Sequence, residues 1–236
     1  MIAIIDSRTP EDIRSSLSSF GFELLPMPKS DRLAEPVSAH PDMRIFILGK
    51  KVFLSSEEKD ELSFITDKLE ASGYEIIYSS VSLFEKYPNN IAFNCFTVGQ
   101  FLFGKLQNLA PEILDEAKNQ GYTPISVNQG YAKCSTLIVD ENSIITTDPS
   151  IYTAVTKVGI EALFINNPET AIMLHGYSCG FIGGASGANA DTVYFCGDIG
   201  LHPDGIRIRE FCEKHKKTVV SLGDQRLLDI GSILFV

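Results

Sequence analysis

One pattern recurs five times along this 236-residue chain, and it restricts the fold more than any other feature. The strand-like runs "IAIID" (2–6), "VFLS" (52–55), "QFLFG" (100–104), "SIITT" (143–147) and "TVYFCG" (192–197) are each followed by a helix-like segment and a second strand-like run. Their spacing of roughly forty to fifty residues falls in the range that marks a repeat architecture. The helical segments are "TPEDIRSSLSSFG", "SSEEKDELSFITDKLEASG", "NLAPEILDEAKNQG", "DPSIYTAVTKVG" and "HPDGIRIREFCEKH". Their starts carry helix-entry chemistry: Thr9 before Pro10, Ser56 before Glu57 and Glu58, Asp148 before Pro149. Four end at Gly21, Gly73, Gly121 and Gly159, as left-handed caps require.

Four units also have a partner strand upstream, across turns reading Gly-Lys, Gly-Gln, Asp-Glu-Asn and Gly-Ala-Asn. The unit is therefore strand, hairpin turn, strand, helix, strand (ββαβ). The first unit lacks its upstream strand, and the C-terminal "LLDIGSILFV" has no partner. Pairing the two would close a ring and protect its edges. The expectation is a single α/β domain over 1–236, a five-fold pseudosymmetric α/β propeller. Its repeats are 1–30 plus 227–236, 40–80, 91–128, 133–167 and 180–223.

Such a ring resembles the pentein fold of the guanidino-group-modifying enzymes. These include arginine deiminase, agmatine deiminase, dimethylarginine dimethylaminohydrolase and the amidinotransferases; a non-catalytic ribosome anti-association factor shares the fold. The stretches "HPDM", "VNQGYAKCS" and "GFIGGASG" are similar to those of a bacterial branch of the superfamily without an assigned function. The resemblance implies a central channel faced by the ends of the first strands. It implies a cysteine near the C-terminus, a histidine from a middle repeat, and carboxylates for the guanidinium. Where the enzymes carry Gly-Gly-Ser/Gly-aliphatic-His-Cys, this chain reads Gly231-Ser232-Ile233-Leu234-Phe235. Where they carry His-x-Asp, it has Lys133 and Ser135. Asp42 matches a guanidinium carboxylate, whereas Asn94 and Cys95 stand where an acidic run is expected.

The resulting expectation is a protein that binds a small polar, amino-acid-like or guanidino ligand without the usual reaction. Asp42 would anchor a cation and Lys133 an anion, with Asn94, Ser135, Gly183 and Gly184 lining the channel. If residues 133–135 are strand, Lys133 and Ser135 share a face and Cys134 points the other way. "HPDM" reads equally well as a polar turn around His40. The alternative is a C–N hydrolase or transferase using Cys134 or Cys179 as a relocated nucleophile, with His175 or Lys133 as base. A non-catalytic interaction protein is a third reading. Cys196 and Cys212 read as core, and Glu57, Glu58, Asp60 and Glu61 as a solvated helix start.

Charge and composition narrow the remaining classes. Thirty acidic and twenty basic residues give a net charge of −10, which disfavours nucleic acid. The one basic knot, Lys214-His215-Lys216-Lys217, falls at a predicted helix end. Five widely spaced cysteines without a C-x-x-C pair suggest neither zinc ribbon nor disulfide framework, and a reducing cytoplasmic setting. The start has no basic leader, and no apolar run reaches the ~20 residues of a membrane span. No nucleotide fingerprint or metal-ligand spacing appears, so neither a cofactor nor a metal is expected.

Overall fold

The computed structural model of the chain describes residues 1–166, 168 and 171–236. The chain begins with β1 (Ile2–Asp6), α1 (Glu11–Ser19) and β2 (Glu23–Met27). The second group is the one-turn helix α2 (Pro41–Arg44), β3 (Ile45–Leu48), β4 (Lys51–Ser55), α3 (Ser63–Ala71) and β5 (Glu75–Ser79). The third is β6 (Phe96–Val98), β7 (Phe101–Gly104), α4 (Pro111–Asn119) and β8 (Thr123–Ser126). The fourth is β9 (Thr136–Asp140), β10 (Ser143–Thr146), α5 (Pro149–Lys157) and β11 (Glu161–Phe164). A short β12 (Ile172–Met173) precedes β13 (Ser186–Ala188), β14 (Thr192–Phe195), α6 (Gly205–Lys214) and β15 (Thr218–Ser221). The chain finishes with β16 (Leu227–Leu228) and β17 (Leu234–Phe235).

The fold is mixed α/β. Four sheets, β3-β4-β5, β6-β7-β8, β9-β10-β11 and β13-β14-β15, each join an antiparallel pair to a parallel third strand. The parallel step needs a crossover, which the helix supplies. A fifth sheet, β17-β1-β2, has the same order, with β17 antiparallel to β1 through Ala3↔Phe235 and Ile4↔Leu234. Among the described residues no sheet closes on itself. Central strands are buried on both faces, as the unbroken apolar run Ile2–Ile5 demands. Each isoleucine of the run contributes about 1.5–3 kcal/mol by leaving water.

Helix ends follow their local chemistry. Asp148 Oδ1 accepts from the N–H groups of Ser150 and Ile151 at 2.8 and 3.0 Å, a cap worth about 1 kcal/mol. Gly21, Gly73, Gly121 and Gly159 end α1, α3, α4 and α5 with φ of 82–85°. After α6 the same left-handed position is filled by Lys216, at φ 59°.

Several expectations need correction. The second helix does not run from residue 55. Residues 56–58 form one tight turn, and α3 starts at Ser63. The acidic start is only partly solvated: Glu58 is fully buried against Arg44, itself fully buried. The fifth hairpin turns at Asn189–Asp191, where Asn189 Oδ1 accepts from the N–H groups of Asp191 and Thr192. Gly187 lies in the strand instead, where a Cβ would meet the Ile233 carbonyl at 2.3 Å. The C-terminal run is two strands. Leu227–Leu228 pairs with β12, and the pairing with β1 is made by Leu234–Phe235, extended by the two backbone bonds between Val236 and Ile2. Gly231 and Ser232, at φ 70° and 71°, break the run between them. The fourth repeat's expected end, residue 167, lies outside the described residues. Among the described residues no helix is long and apolar enough to cross a membrane.

Candidate functional site

The segments that lead into the first strands meet at the centre of the molecule, and they are turns rather than strands. Residues 131–135 turn with Ser135 N–H on the Tyr131 carbonyl at 3.0 Å. Residues 181–185 repeat this with Ala185 N–H on the Phe181 carbonyl at 3.0 Å. Backbone bonds stitch them together: Gly184 N–H to the Cys134 carbonyl (3.0 Å), Ser232 N–H to the Gly184 carbonyl (2.8 Å) and Asp42 N–H to the Gly231 carbonyl (3.1 Å). The alternation expected for Lys133, Cys134 and Ser135 therefore fails, because helical turns do not obey a period of two.

Glycine makes this close stitching possible. A Cβ on Gly183 would sit 2.3 Å from the Lys133 carbonyl, and one on Gly184 would sit 2.0 Å from Asp229 Oδ1. These two glycines leave no room for a ligand. They let backbones and a carboxylate approach one another.

The result is a polar wall. Ser232 Oγ lies 2.7 Å from Asp42 Oδ2 and 2.9 Å from the Gly183 carbonyl, and its single proton serves one of them. Lys133 Nζ donates to the same Oγ at 2.8 Å. Asn94 is fully buried. It donates to the Asp42 carbonyl at 2.9 Å and to Cys134 Sγ at 3.0 Å, and it accepts from Lys133 N–H at 2.8 Å. Its hydrogen-bonding capacity is spent on holding the wall, not on a ligand. Asp229 accepts from Gly231 N–H at 3.0 Å and Phe181 N–H at 2.8 Å. His40 Nδ1 lies 3.7 Å from Asp229 Oδ1, and its Nε2 lies 3.8 Å from Asp6 Oδ2. Asp6 is gripped by Arg8, whose Nη2 and Nε donate at 2.6 and 3.0 Å.

Electrostatics follow from burial. Burial lowers the Lys133 pKa, although Asp42 nearby opposes the shift. Burial raises that of Asp229, with His40 opposing. Burial also pushes the Cys134 thiol well up, reinforced by Asp42 and Asp229.

Cavities lie on both sides of the wall, and neighbouring residues face opposite ways. On the loop side, a cavity of about 210 Å³ is lined by Asp6, Arg8, His40, His175 and Asp229. A second, of about 240 Å³, is lined by Met43, Tyr131, Cys134, Tyr177, Cys179 and Phe181. The two share His40, Leu174 and Asp229. On the hairpin side, Asp42 and Lys133 border a cavity of about 150 Å³ walled by Ile45, Phe46, Ile47, Phe93 and Phe96. This adjoins one of about 340 Å³ whose rim carries Asp140, Asn189 and Lys217. The loop-side and hairpin-side pairs have no lining residue in common.

The expected site residues are thus divided. Asp42 and Lys133 come together through Ser232 on the hairpin side. Cys134 and Cys179 border one loop-side lobe, and His175 borders the other. Ser135 is buried with its Oγ unpartnered and borders none of these four cavities. Asp6, Arg8, Asp229, Tyr131 and Tyr177 were not expected in a site. The signal for Asp229 was a lone carboxylate inside the apolar run "LLDIG". Among the described residues no group of three or more His, Cys, Asp or Glu is arranged to hold a metal.

A search among curated proteins finds no match to the chain. Solved structures do match. Dimethylarginine dimethylaminohydrolase from Pseudomonas aeruginosa, a cysteine-to-serine variant complexed with citrulline, is 10% identical with a TM-score of 0.53 over 94% of this chain and 91% of that one. Inosamine-phosphate amidinotransferase from Streptomyces griseus is 12% identical with a TM-score of 0.56, covering 95% and 77%. The N-terminal domain of a cyanobacterial arginine dihydrolase bound to product is 10% identical with a TM-score of 0.55, covering 96% and 90%. At these identities the likeness is one of fold, and the fold is that of the pentein superfamily enzymes. By sequence, the chain belongs to the family of unknown function DUF6873, whose profile matches residues 4–234.

Proposed function

We propose that this protein binds a small cationic or amino-acid-like ligand, with or without a guanidino group, in its loop-side cavities, and that it does not carry out standard guanidine-modifying chemistry. The observation that carries this reading is the junction of the two lobes. There the buried carboxylate of Asp229 and the imidazole of His40 lie beside the rings of Tyr131, Tyr177 and Phe181. A carboxylate at the base of an aromatic pocket favours an organic cation, through charge and through the faces of the rings. The similar enzymes bound to citrulline and to product support a ligand of this size.

The absence of the usual reaction is supported by two features. Leu234 and Phe235 occupy strand β17 where the resemblance places histidine and cysteine. Cys134 is a buried thiol held in its neutral form, whereas attack needs a thiolate. We further infer a five-fold pseudosymmetric ring closed by β17 on β1, supported by the common order of five three-stranded sheets. The five free cysteines favour a reducing, cytoplasmic setting. The basic knot at the end of α6 is engaged internally. Lys214 pairs with Glu161, His215 with Asp140, and Lys217 with two carbonyls, which leaves little for nucleic acid.

Titration calorimetry with arginine, agmatine and citrulline tests the reading. Tyr177 is half exposed and lines the pocket. Tyr177→Ala should weaken the preferred ligand at least tenfold and leave the melting temperature unchanged. No heat with any of the three, or binding indifferent to Tyr177→Ala, overturns it. Release of ammonia or amine from arginine or agmatine would replace it with a hydrolase using Cys179.

A further inference from the structure

The two loop-side lobes differ in what borders them and, given a loop-side ligand as proposed above, that difference narrows its chemical class. The first lobe is acidic. Asp6, Glu35 and Asp229 border it against one fixed cation, Arg8. Lys29, outside the lobe, pairs with Glu35 at 2.8 Å. With the imidazoles neutral, one negative charge stays unmatched there.

Arg8 has little left to offer an anion. Its Nε and Nη2 donate to Asp6, Nη2 donates also to the Pro36 carbonyl at 2.9 Å, and Nη1 donates to the Glu35 carbonyl at 2.6 Å. Each nitrogen of the guanidinium thus already has an acceptor within the protein. His40 is the opposite case. It is 2% exposed and borders both lobes. Its ring nitrogens lie 3.7 Å from Asp229 Oδ1 and 3.8 Å from Asp6 Oδ2, too far for a hydrogen bond. A neutral imidazole keeps one nitrogen as an acceptor. An ammonium at the junction therefore meets that nitrogen as well as the field of the carboxylates.

The second lobe is apolar. Val37, Met43, Leu174 and Phe181 border it with the rings of Tyr131 and Tyr177, no lysine or arginine does, and its one carboxylate is Asp229 at the junction. The Tyr131 hydroxyl and the Cys134 thiol are already engaged, by Asn90 and Asn94. The lobe measures about 240 Å³. An apolar protein cavity of about 150 Å³ takes up benzene, so an aromatic ring on a short stem fits. A second charge on the ligand has no place. An α-amino acid carries its carboxylate beside the ammonium, among Asp6, Glu35 and Asp229, where like charges repel. A guanidinoalkylamine puts its second cation into the apolar lobe without a partner.

We propose that the loop-side ligand is a monoamine with an apolar or aromatic tail and no carboxylate, its ammonium at the junction beside His40 and Asp229 and its tail among Tyr131, Tyr177 and Phe181. Phenethylamine is the simplest probe. Calorimetry on the intact protein should show it binding at least tenfold more tightly than L-phenylalanine, which adds only a carboxylate. It should also bind more tightly than agmatine, which carries a second cation. Val37 is half-buried and borders the second lobe but not the first. Val37→Asp should reverse the order, weakening phenethylamine at least tenfold and strengthening agmatine, with thermal melting to show that the variant is folded. If it does not fold, the wild-type order decides alone. Phenylalanine or agmatine binding the wild-type protein as tightly as phenethylamine, or a folded Val37→Asp that keeps the wild-type order, overturns the proposal and leaves a loop-side site for cations standing. No heat from phenethylamine, arginine, agmatine and citrulline alike overturns both.

Discussion

Asp42 and Arg44 stand two residues apart on the single turn of α2, both buried charges, and they have opposite roles. Arg44 points away from the centre. Its Nε donates to Glu58 at 2.9 Å, one Nη to Glu61 at 2.7 Å and the other to the Pro28 carbonyl. Every nitrogen of the guanidinium has an acceptor. Its partner Glu58 keeps one oxygen without a hydrogen bond, but borders none of the four chambers around the wall. Asp42 points inward, into the polar wall, where Ser232 engages one oxygen and the other is sealed without a hydrogen bond. A buried charge whose bonds are complete holds a fold together. One left incomplete inside the central wall is a cost that the surrounding contacts must offset.

The largest effect expected from this contrast is on stability. Arg44→Ala strands Glu58 as an unpaired buried carboxylate and should cost about 3–5 kcal/mol in urea denaturation. Asp42→Asn should behave otherwise. The asparagine oxygen still accepts from Ser232, so the loss should be only about 1–2 kcal/mol in the same denaturation. If Asp42→Asn destabilised as much as Arg44→Ala, the two charges would share one structural role and the contrast would collapse.

The smallest effect is a slope. Burial lowers the pKa of Lys133 in the folded protein. Between that value and the ordinary lysine range, the unfolded chain binds more protons than the folded one. Stability should therefore rise with pH across this window. Lys133→Met should remove that rise, visible as a flatter melting temperature between neutral and alkaline pH. An unchanged slope would mean that the Lys133 ammonium is well solvated where it stands.

Much of this architecture is legible in the residues. The alternation of strand and helix and the four glycine stops follow from local rules, because hydrophobic period and turn chemistry are short-range properties; the pairing of "IAIID" with the last strand follows from the repeat count, which leaves one strand missing at one end and one over at the other. The central wall is not legible in the same way. Its members come from five separated segments. Whether Lys133 and Cys134 face the same or opposite cavities depends on a turn at residues 131–135 that nothing in "GYAKCST" announces. Glu58 shows the same limit. In sequence it is one acid in a solvated-looking run, and only the distant Arg44 makes it core. Gly183 and Gly184 were recognisable as sites of close approach, but what approaches them is Lys133, Cys134 and Asp229 from other parts of the chain.

The wall between the chambers is a layer of turns bonded backbone to backbone, and glycines hold it together with no slack. It keeps molecules apart, but it does not insulate charge. Asp229 and Asp42 face opposite chambers, yet each shifts the thiol of Cys134 between them. Across so thin a layer of low polarisability, a charge placed in one chamber changes the potential in the other far more than the same separation would in water. The two compartments therefore act as the plates of a small capacitor. A cation held on one side and an anion on the other would each raise the affinity for its counterpart, by equal factors, with no movement of the backbone.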